Sequence, residues 1–184
     1  KRHLDMVYSH IRYSDRAFMG SVTAEERSED NIEMARILFG LAFVEKNCVI
    51  LGNVNVNSPL VWDGTMTKSL RAYARANQAP VIVPFILGGA MGPVTNAGAI
   101  AQSLAETMAG CALAQLERPG SPVIFGNFLS STALRTGSPT FGQRARDAFA
   151  WFHGRNRWGL APYDEESGGC HDGVGPHGLN ANEG

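Results

Sequence analysis

Three short apolar runs, each rich in β-branched residues and separated by stretches of helical periodicity, constrain this chain more than any other feature. They are Val49-Ile50-Leu51-Gly52-Asn53-Val54-Asn55-Val56, Pro80-Val81-Ile82-Val83-Pro84-Phe85-Ile86 and Pro122-Val123-Ile124-Phe125-Gly126-Asn127-Phe128. A weaker fourth run spans Arg16 to Val22 through Phe18 and Met19. Apolar runs of this length read as strands buried on both faces. They recur at intervals of roughly 30 to 40 residues, the span of one strand with its crossover helix.

The intervening segments supply those helices. Thr23-Ala24-Glu25-Glu26 has the T-x-x-E form of a capping box, and Ile32, Ala35 and Phe39 follow at helical spacing. From Thr65 onward, Met66, Leu70, Tyr73 and Ala74 share one apolar face opposite Lys68, Arg71 and Arg75. Asp63 stands where an N-cap belongs. A longer helix is expected from near Thr95 to just before Pro119-Gly120, with Ile100, Leu104, Met108 and Cys111 as its stripe and a small alanine flank. The order β-α-β-α-β-α-β with crossover helices predicts a parallel α/β sheet, either covered on both faces or closed into a barrel. Periodicity does not choose between the two.

Length matters here. A complete eight-stranded barrel takes about 250 residues, and this chain has 184. Its 16 basic and 17 acidic residues nearly cancel, which argues against nucleic acid and anionic membrane as partners. The apolar stretch from Ala79 to Val94 is interrupted by Pro84, Gly88, Gly89, Gly92 and Pro93, so it does not read as a membrane-spanning helix. Cys48, Cys111 and Cys170 form no C-x-x-C pair and no closed disulfide set. Cys48 and Cys111 read as small core residues of a soluble protein in a reducing, cytoplasmic compartment.

At Tyr13-Ser14-Asp15-Arg16-Ala17-Phe18-Met19-Gly20-Ser21-Val22 the chain resembles the trimethylamine methyltransferase family. The resemblance continues through Ile32–Gly40 and the Asn57-Ser58-Pro59-Leu60 turn. It is strongest at Gly89-Ala90-Met91-Gly92-Pro93-Val94-Thr95-Asn96-Ala97-Gly98-Ala99, then takes in Glu106, Gln115 and Pro119-Gly120 and closes at Thr136–Gly142. It implies an internal piece of a TIM barrel, a partial (β/α)8 barrel with about four parallel strands. It also implies a methyl transfer from trimethylamine, glycine betaine or a related methylated amine to the cobalt of a corrinoid (cobalamin) carried by a separate small protein. Some members use pyrrolysine in the active site, and that position is expected in or beyond the tail.

In such a barrel the site lies at the C-terminal strand ends. The substrate-binding candidates there are Phe18, Asn55, Asn57, Phe85, Asn127 and Phe128, a mouth of aromatic and neutral polar groups with almost no charge. A quaternary ammonium has no N–H to donate, so aromatic faces and desolvation must hold it. Trp62 and Phe125 are further aromatics near the mouth, and strand alternation turns about half of such rings toward the helices. Gly88, Gly89, Met91 and Gly92 are the candidates for contact with the corrinoid. They precede a helix N-terminus whose bare N–H groups could alternatively hold an anion, but no Gly-Lys-Ser/Thr of a Walker A loop follows. No catalytic residue is assigned. Glu106 reads as an exposed or helix-paired carboxylate. Cys170, His171 and His177 match no common zinc spacing, so no metal site is expected.

After Gly142 the pattern stops. Residues 1–142 read as the partial barrel and 143–184 as a divergent, poorly ordered tail. Trp158–Tyr163 and Asn180–Glu183 faintly echo family segments without the helix that should precede them, which predicts a reading-frame change or truncation. Two other functions stay open at this point. One is a non-catalytic fragment whose open half-sheet self-associates as a homo-oligomer; the other is an unrelated phosphate-handling barrel enzyme using the Gly88–Gly92 loop.

Overall fold

Each apolar run becomes a parallel strand, and the stretches between them become the helices that return the chain. The computed structural model describes residues 1–132 and three short strands beyond them. The order is α1 (Arg2–Tyr13), β1 (Phe18–Gly20), α2 (Glu25–Phe39), α3 (Leu41–Val44), β2 (Ile50–Val56), α4 (Gly64–Arg75), β3 (Ala79–Gly88), α5 (Asn96–Glu117), β4 (Ile124–Phe125) and β5 (Phe128–Thr132). Of the later strands, β6 (Pro139–Thr140) runs antiparallel to β5, and β7 (Tyr163–Asp164) pairs antiparallel with β8 (Gly169–Cys170). The remaining residues of the 143–184 segment lie outside the described residues.

Phe18 aligns with Ile50, Asn53 with Val81, Ile82 with Phe125, and Phe85 with Phe128, all in parallel pairs. Strands β4 and β5 keep the same offset against β3, so they are one strand interrupted at Gly126-Asn127. Even there the Gly126 N–H donates to the Ile82 carbonyl at 2.9 Å. The sheet is thus four parallel strand positions in chain order, joined by helices, in agreement with a partial (β/α) barrel.

Strand parity decides what each residue meets. Ile50, Val54, Val56, Ile82 and Ile86, all buried, face the helices and pack on Leu70, Tyr73, Ala74, Ala99 and Ala114. Burying each such aliphatic side chain stabilises by about 1.5–3 kcal/mol. Gly20 and Gly52 are register partners on that face, and together they form a slot for Tyr73 of α4. A Cβ at Gly20 would lie only 2.9 Å from Ile50 Cδ1 and closer still to the Tyr73 hydroxyl, and one at Gly52 would press on the Tyr73 ring. The Tyr73 hydroxyl donates to the Ser21 carbonyl at 3.0 Å, and burial pushes its ionisation well above the ordinary tyrosine value.

Gln78, fully buried just before β3, fixes the other end of the sheet. Its Oε1 accepts from the Val49 and Ile50 N–H groups at 2.8 and 3.2 Å, and its Nε2 donates to the Val44 carbonyl at 2.9 Å. On the outer surface Glu117 of α5 accepts from Arg71 Nε at 2.6 Å and from Arg75 Nε, tying α5 to α4.

Two local expectations need correction. The capping box at Thr23–Glu26 does not form: Ala24 is the N-cap of α2 and makes no side-chain cap. Thr23 Oγ1 instead pairs with Ser21 Oγ and accepts from Arg27 Nη1, both at 2.9 Å, which takes the hydroxyl away from the helix amides. Helix α1 was not anticipated, although Leu4, Val7 and Ile11 have helical spacing. Asp63 does cap α4, accepting from the Met66 N–H at 2.8 Å.

Substituting Gly52→Ala forces a methyl against the Tyr73 ring, and the overpacking is expected to destabilise the protein by about 1–3 kcal/mol in denaturant titration. The hydrogen bonds from Arg71, then from Arg75, hold the Glu117 carboxyl below its ordinary value. A carboxyl depressed in the folded state stabilises fully above the unfolded value of about 4.3 and progressively less as pH falls through its own folded value. Glu117→Gln should therefore lower the melting temperature at neutral pH and converge with the parent on the acid side of that range.

Candidate functional site

On the face away from the helices, parity brings together a different set of side chains. Asn53 and Asn55 of β2 stand beside Val81 and Val83 of β3, and Phe85 stands beside Phe128 of β5. At the C-terminal ends of these strands is a cavity of about 510 Å³ walled by Asn55, Asn57, Ser58, Val83, Phe85, Met91 and Phe128. No lining residue is charged. The Phe85 and Phe128 rings stack with centroids 4.9 Å apart and planes 20° apart, and Phe85 retains 39% exposure. A second cavity of about 660 Å³ shares Asn55 and has Lys1, Arg2 and Arg27 on its wall.

Five of the expected site residues therefore meet at one cavity: Asn55, Asn57, Phe85, Met91 and Phe128. Phe18 does not. As the register partner of Ile50 it faces the helices, is 5% exposed and stacks on His10 of α1 with centroids 6.2 Å apart. Asn127 also turns to the helix side, where its Oδ1 accepts from Ser103 Oγ of α5 at 3.1 Å. Phe125 is buried beside Ile82, and Trp62 is wedged against α5, where a Cβ on Gly110 would lie 2.6 Å from its ring.

Gly88, Gly89 and Gly92 form the backbone of the loop that carries Met91. The Gly89 N–H donates to the Gly92 carbonyl at 3.0 Å, while the Ala90 and Met91 N–H groups donate to the Leu87 carbonyl at 3.0 and 2.8 Å. Gly89 has φ 88°, a conformation that side-chain-bearing residues rarely adopt. At the following helix Thr95 caps α5 by accepting from the Gly98 N–H at 3.2 Å. The amides of Gly89, Ala90 and Met91 are thus engaged within the loop, and that of Gly98 by the Thr95 cap.

Glu106 is the largest departure from expectation. It is not exposed: at 2% exposure its Oε2 accepts from Ser58 Oγ at 2.6 Å, and its Oε1 accepts from the Leu60 N–H at 2.8 Å and Gln102 Nε2 at 2.9 Å. A helix-paired contact, to Gln102 four residues earlier, is present, but it is one of three. Asn57, in turn, donates from Nδ2 to Asp63 Oδ2 at 3.0 Å, so the capping carboxylate of α4 also orients a cavity residue. Among the described residues no three His, Cys, Asp or Glu side chains converge as a metal set. The side chains of Cys170, His171 and His177 lie outside the described residues.

The sequence profile described as Trimethylamine methyltransferase (MTTB) matches residues 1–156, most of the chain. The chain belongs to the trimethylamine methyltransferase family. Among curated relatives, it is 42% identical over 142 residues to the glycine betaine methyltransferase of Desulfitobacterium hafniense (strain Y51), covering 77% of this chain and 30% of that protein. It is 23% identical over 139 residues to the proline betaine:corrinoid methyltransferase of Eubacterium limosum, covering 72% of this chain and 29% of that protein. The chain spans less than a third of the length of these curated relatives. The family match runs past Gly142, where the resemblance read from the sequence stops.

The separation of Phe18 from the cavity gives a direct check. Phe18→Leu should destabilise the protein by about 1 kcal/mol in denaturant titration, as expected of a ring packed among the helices rather than lining the cavity.

Proposed function

We propose that this segment forms the substrate side of a methyltransferase that moves a methyl group from a quaternary amine, a betaine in the first instance, to a corrinoid carried on a separate small protein. The observation that carries the reading is the stacked Phe85–Phe128 pair set among Asn55, Asn57 and Ser58 in an uncharged cavity at the C-terminal strand ends. The names of the two relatives support a betaine over trimethylamine.

The chemistry suits these residues. A tetraalkylammonium cannot donate a hydrogen bond, so ring faces compensate for the hydration it loses; each cation–π contact contributes about 0.5–2 kcal/mol. Asn55 and Asn57 supply neutral dipoles, which orient a zwitterion without forming an ion pair that would favour the ground state. A docked acceptor, as second substrate, would supply the electron pair of the new Co–C bond from its reduced cobalt(I) as the C–N bond breaks, and the C–N pair would stay on nitrogen. The departing amine leaves neutral, so no general base is required of the chain. What the chain must do is hold the methyl in line and keep water away. Gly88, Gly89 and Gly92 allow the loop bearing Met91 to lie close at the rim.

The acceptor protein is assigned to the cavity mouth. Leu60 and Val61 on one wall loop and Val94 after the other are exposed at 68%, 52% and 69%, an apolar rim suited to a protein partner. No helix among the described residues is long and apolar enough to cross a membrane.

The test uses the intact protein with a reduced corrinoid protein. Glycine betaine should yield a methylated corrinoid, followed by its absorption spectrum, together with one equivalent of dimethylglycine. Phe85→Leu and Phe128→Leu should each weaken betaine binding by about 0.5–2 kcal/mol. Both should affect much less the binding of the carbon analogue in which tert-butyl replaces trimethylammonium. Equal losses for both ligands would overturn the aromatic assignment, and failure of every methylated amine to react would overturn the function.

A further inference from the structure

Helix α5 carries one stripe, Gln102, Glu106 and Gly110, at successive four-residue steps; the first two contact the loops that wall the cavity, and the third faces Trp62 just after one of them. Gln102 Nε2 lies 3.4 Å from the Met91 carbonyl, and Gly92 sits so close to Ile86 that an added Cβ would fall 2.8 Å from its Cγ2 and 3.3 Å from Gln102 Oε1. Glu106 holds Ser58 and Leu60 from the other wall loop. Gly110 leaves room for Trp62 at the end of that same loop.

The Asn57–Val61 loop is closed on itself, with the Asn57 N–H donating to the Val61 carbonyl at 3.0 Å and the Val61 N–H donating back at 3.2 Å. At its tip Leu60 has φ 57°, a left-handed conformation that is unfavourable for a branched side chain. The Leu60 side chain is exposed and contributes little packing, so the hydrogen bond from its N–H to a carboxylate adds to the Asn57–Val61 pair in holding this backbone. Hydrogen bonds to charged acceptors are the stronger class. A buried carboxylate is costly unless its lone pairs are filled, and Glu106 receives three donors, two of them from this loop.

We propose that Glu106 is a positioning residue: through Ser58 and Leu60 on one side and Gln102 and Met91 on the other, it couples the two loops that wall the cavity and sets the geometry in which the amine is held. The consequence for substrate rests on the function proposed above; the coupling of the loops does not.

The test uses the intact protein. Glu106→Gln keeps size and packing but replaces one acceptor oxygen with an N–H₂ group, so Ser58 and Leu60 cannot both be satisfied as before. The expected result is a rise of about tenfold in KM and Kd for glycine betaine, the loss of one charge-assisted hydrogen bond, with a smaller change in kcat. The milder Ser58→Ala should raise KM in the same direction, and the double variant should show less than the product of the two effects. Amide hydrogen exchange should accelerate in both 57–61 and 88–92 in Glu106→Gln. A residue that only stabilised the fold would lower the active fraction, and hence apparent kcat, with KM unchanged; that outcome, or exact multiplicativity in the double variant, overturns the proposal. If the parent protein binds no methylated amine, the function proposed above falls instead. Exchange then decides: acceleration at both loops sustains the coupling, and acceleration at neither or at only one overturns it.

Discussion

The parallel register between β2 and β3 is the constraint on which the rest depends. Side chains alternate along a strand, so a slip of β2 by one residue against β3 would send Ile50 and Val54 to the cavity side and Asn53 and Asn55 to the helices. Two devices hold the strand alignments. Buried Gln78, just before β3, bonds the start of β2 through both Val49 and Ile50, and the glycines 20 and 52, register partners in β1 and β2, leave the space that the Tyr73 ring fills. Neither device lies near the cavity, yet both determine which residues reach it.

How much of this could be read from the chain follows from the same rule. Runs of β-branched residues revealed the strands because burial on both faces leaves a compositional mark, and Asp63 revealed a helix start because its chemistry is local. Asn55, Phe85 and Phe128, which stand near strand ends, do line one cavity. Phe18 and Asn127 do not, since being near a strand end says nothing about parity until the register is known. Thr23 failed as a cap because Ser21 and Arg27 compete for its hydroxyl. Glu106 was the least legible of all. Its partners Ser58 and Leu60 are more than forty residues away in the chain, and a glutamate within a helix ordinarily points to water.

Charge is distributed with the same economy. The ion pairs of Glu117 with Arg71 and Arg75 lie on the outer helical layer, where water screens them and they join neighbouring helices. The cavity wall has aromatic rings, amides, one hydroxyl and the apolar residues Val56, Val83 and Met91, and the two carboxylates bonded to lining residues, Glu106 to Ser58 and Asp63 to Asn57, are not themselves on it. Under the function proposed above, a negative charge facing the cavity would favour the cationic substrate over the neutral product, whereas a wall of dipoles and ring faces would discriminate less between them.

The arrangement of α5 also limits how such a pocket can diversify. Because one helix stripe serves both wall loops, a change in either loop is transmitted to the other through a shared rigid rod. The depth at which that rod sits on the sheet is set by the small residues of its buried face, Ala99, Gly110 and Ala114, so changes there would reshape both wall loops together while leaving the loop sequences untouched.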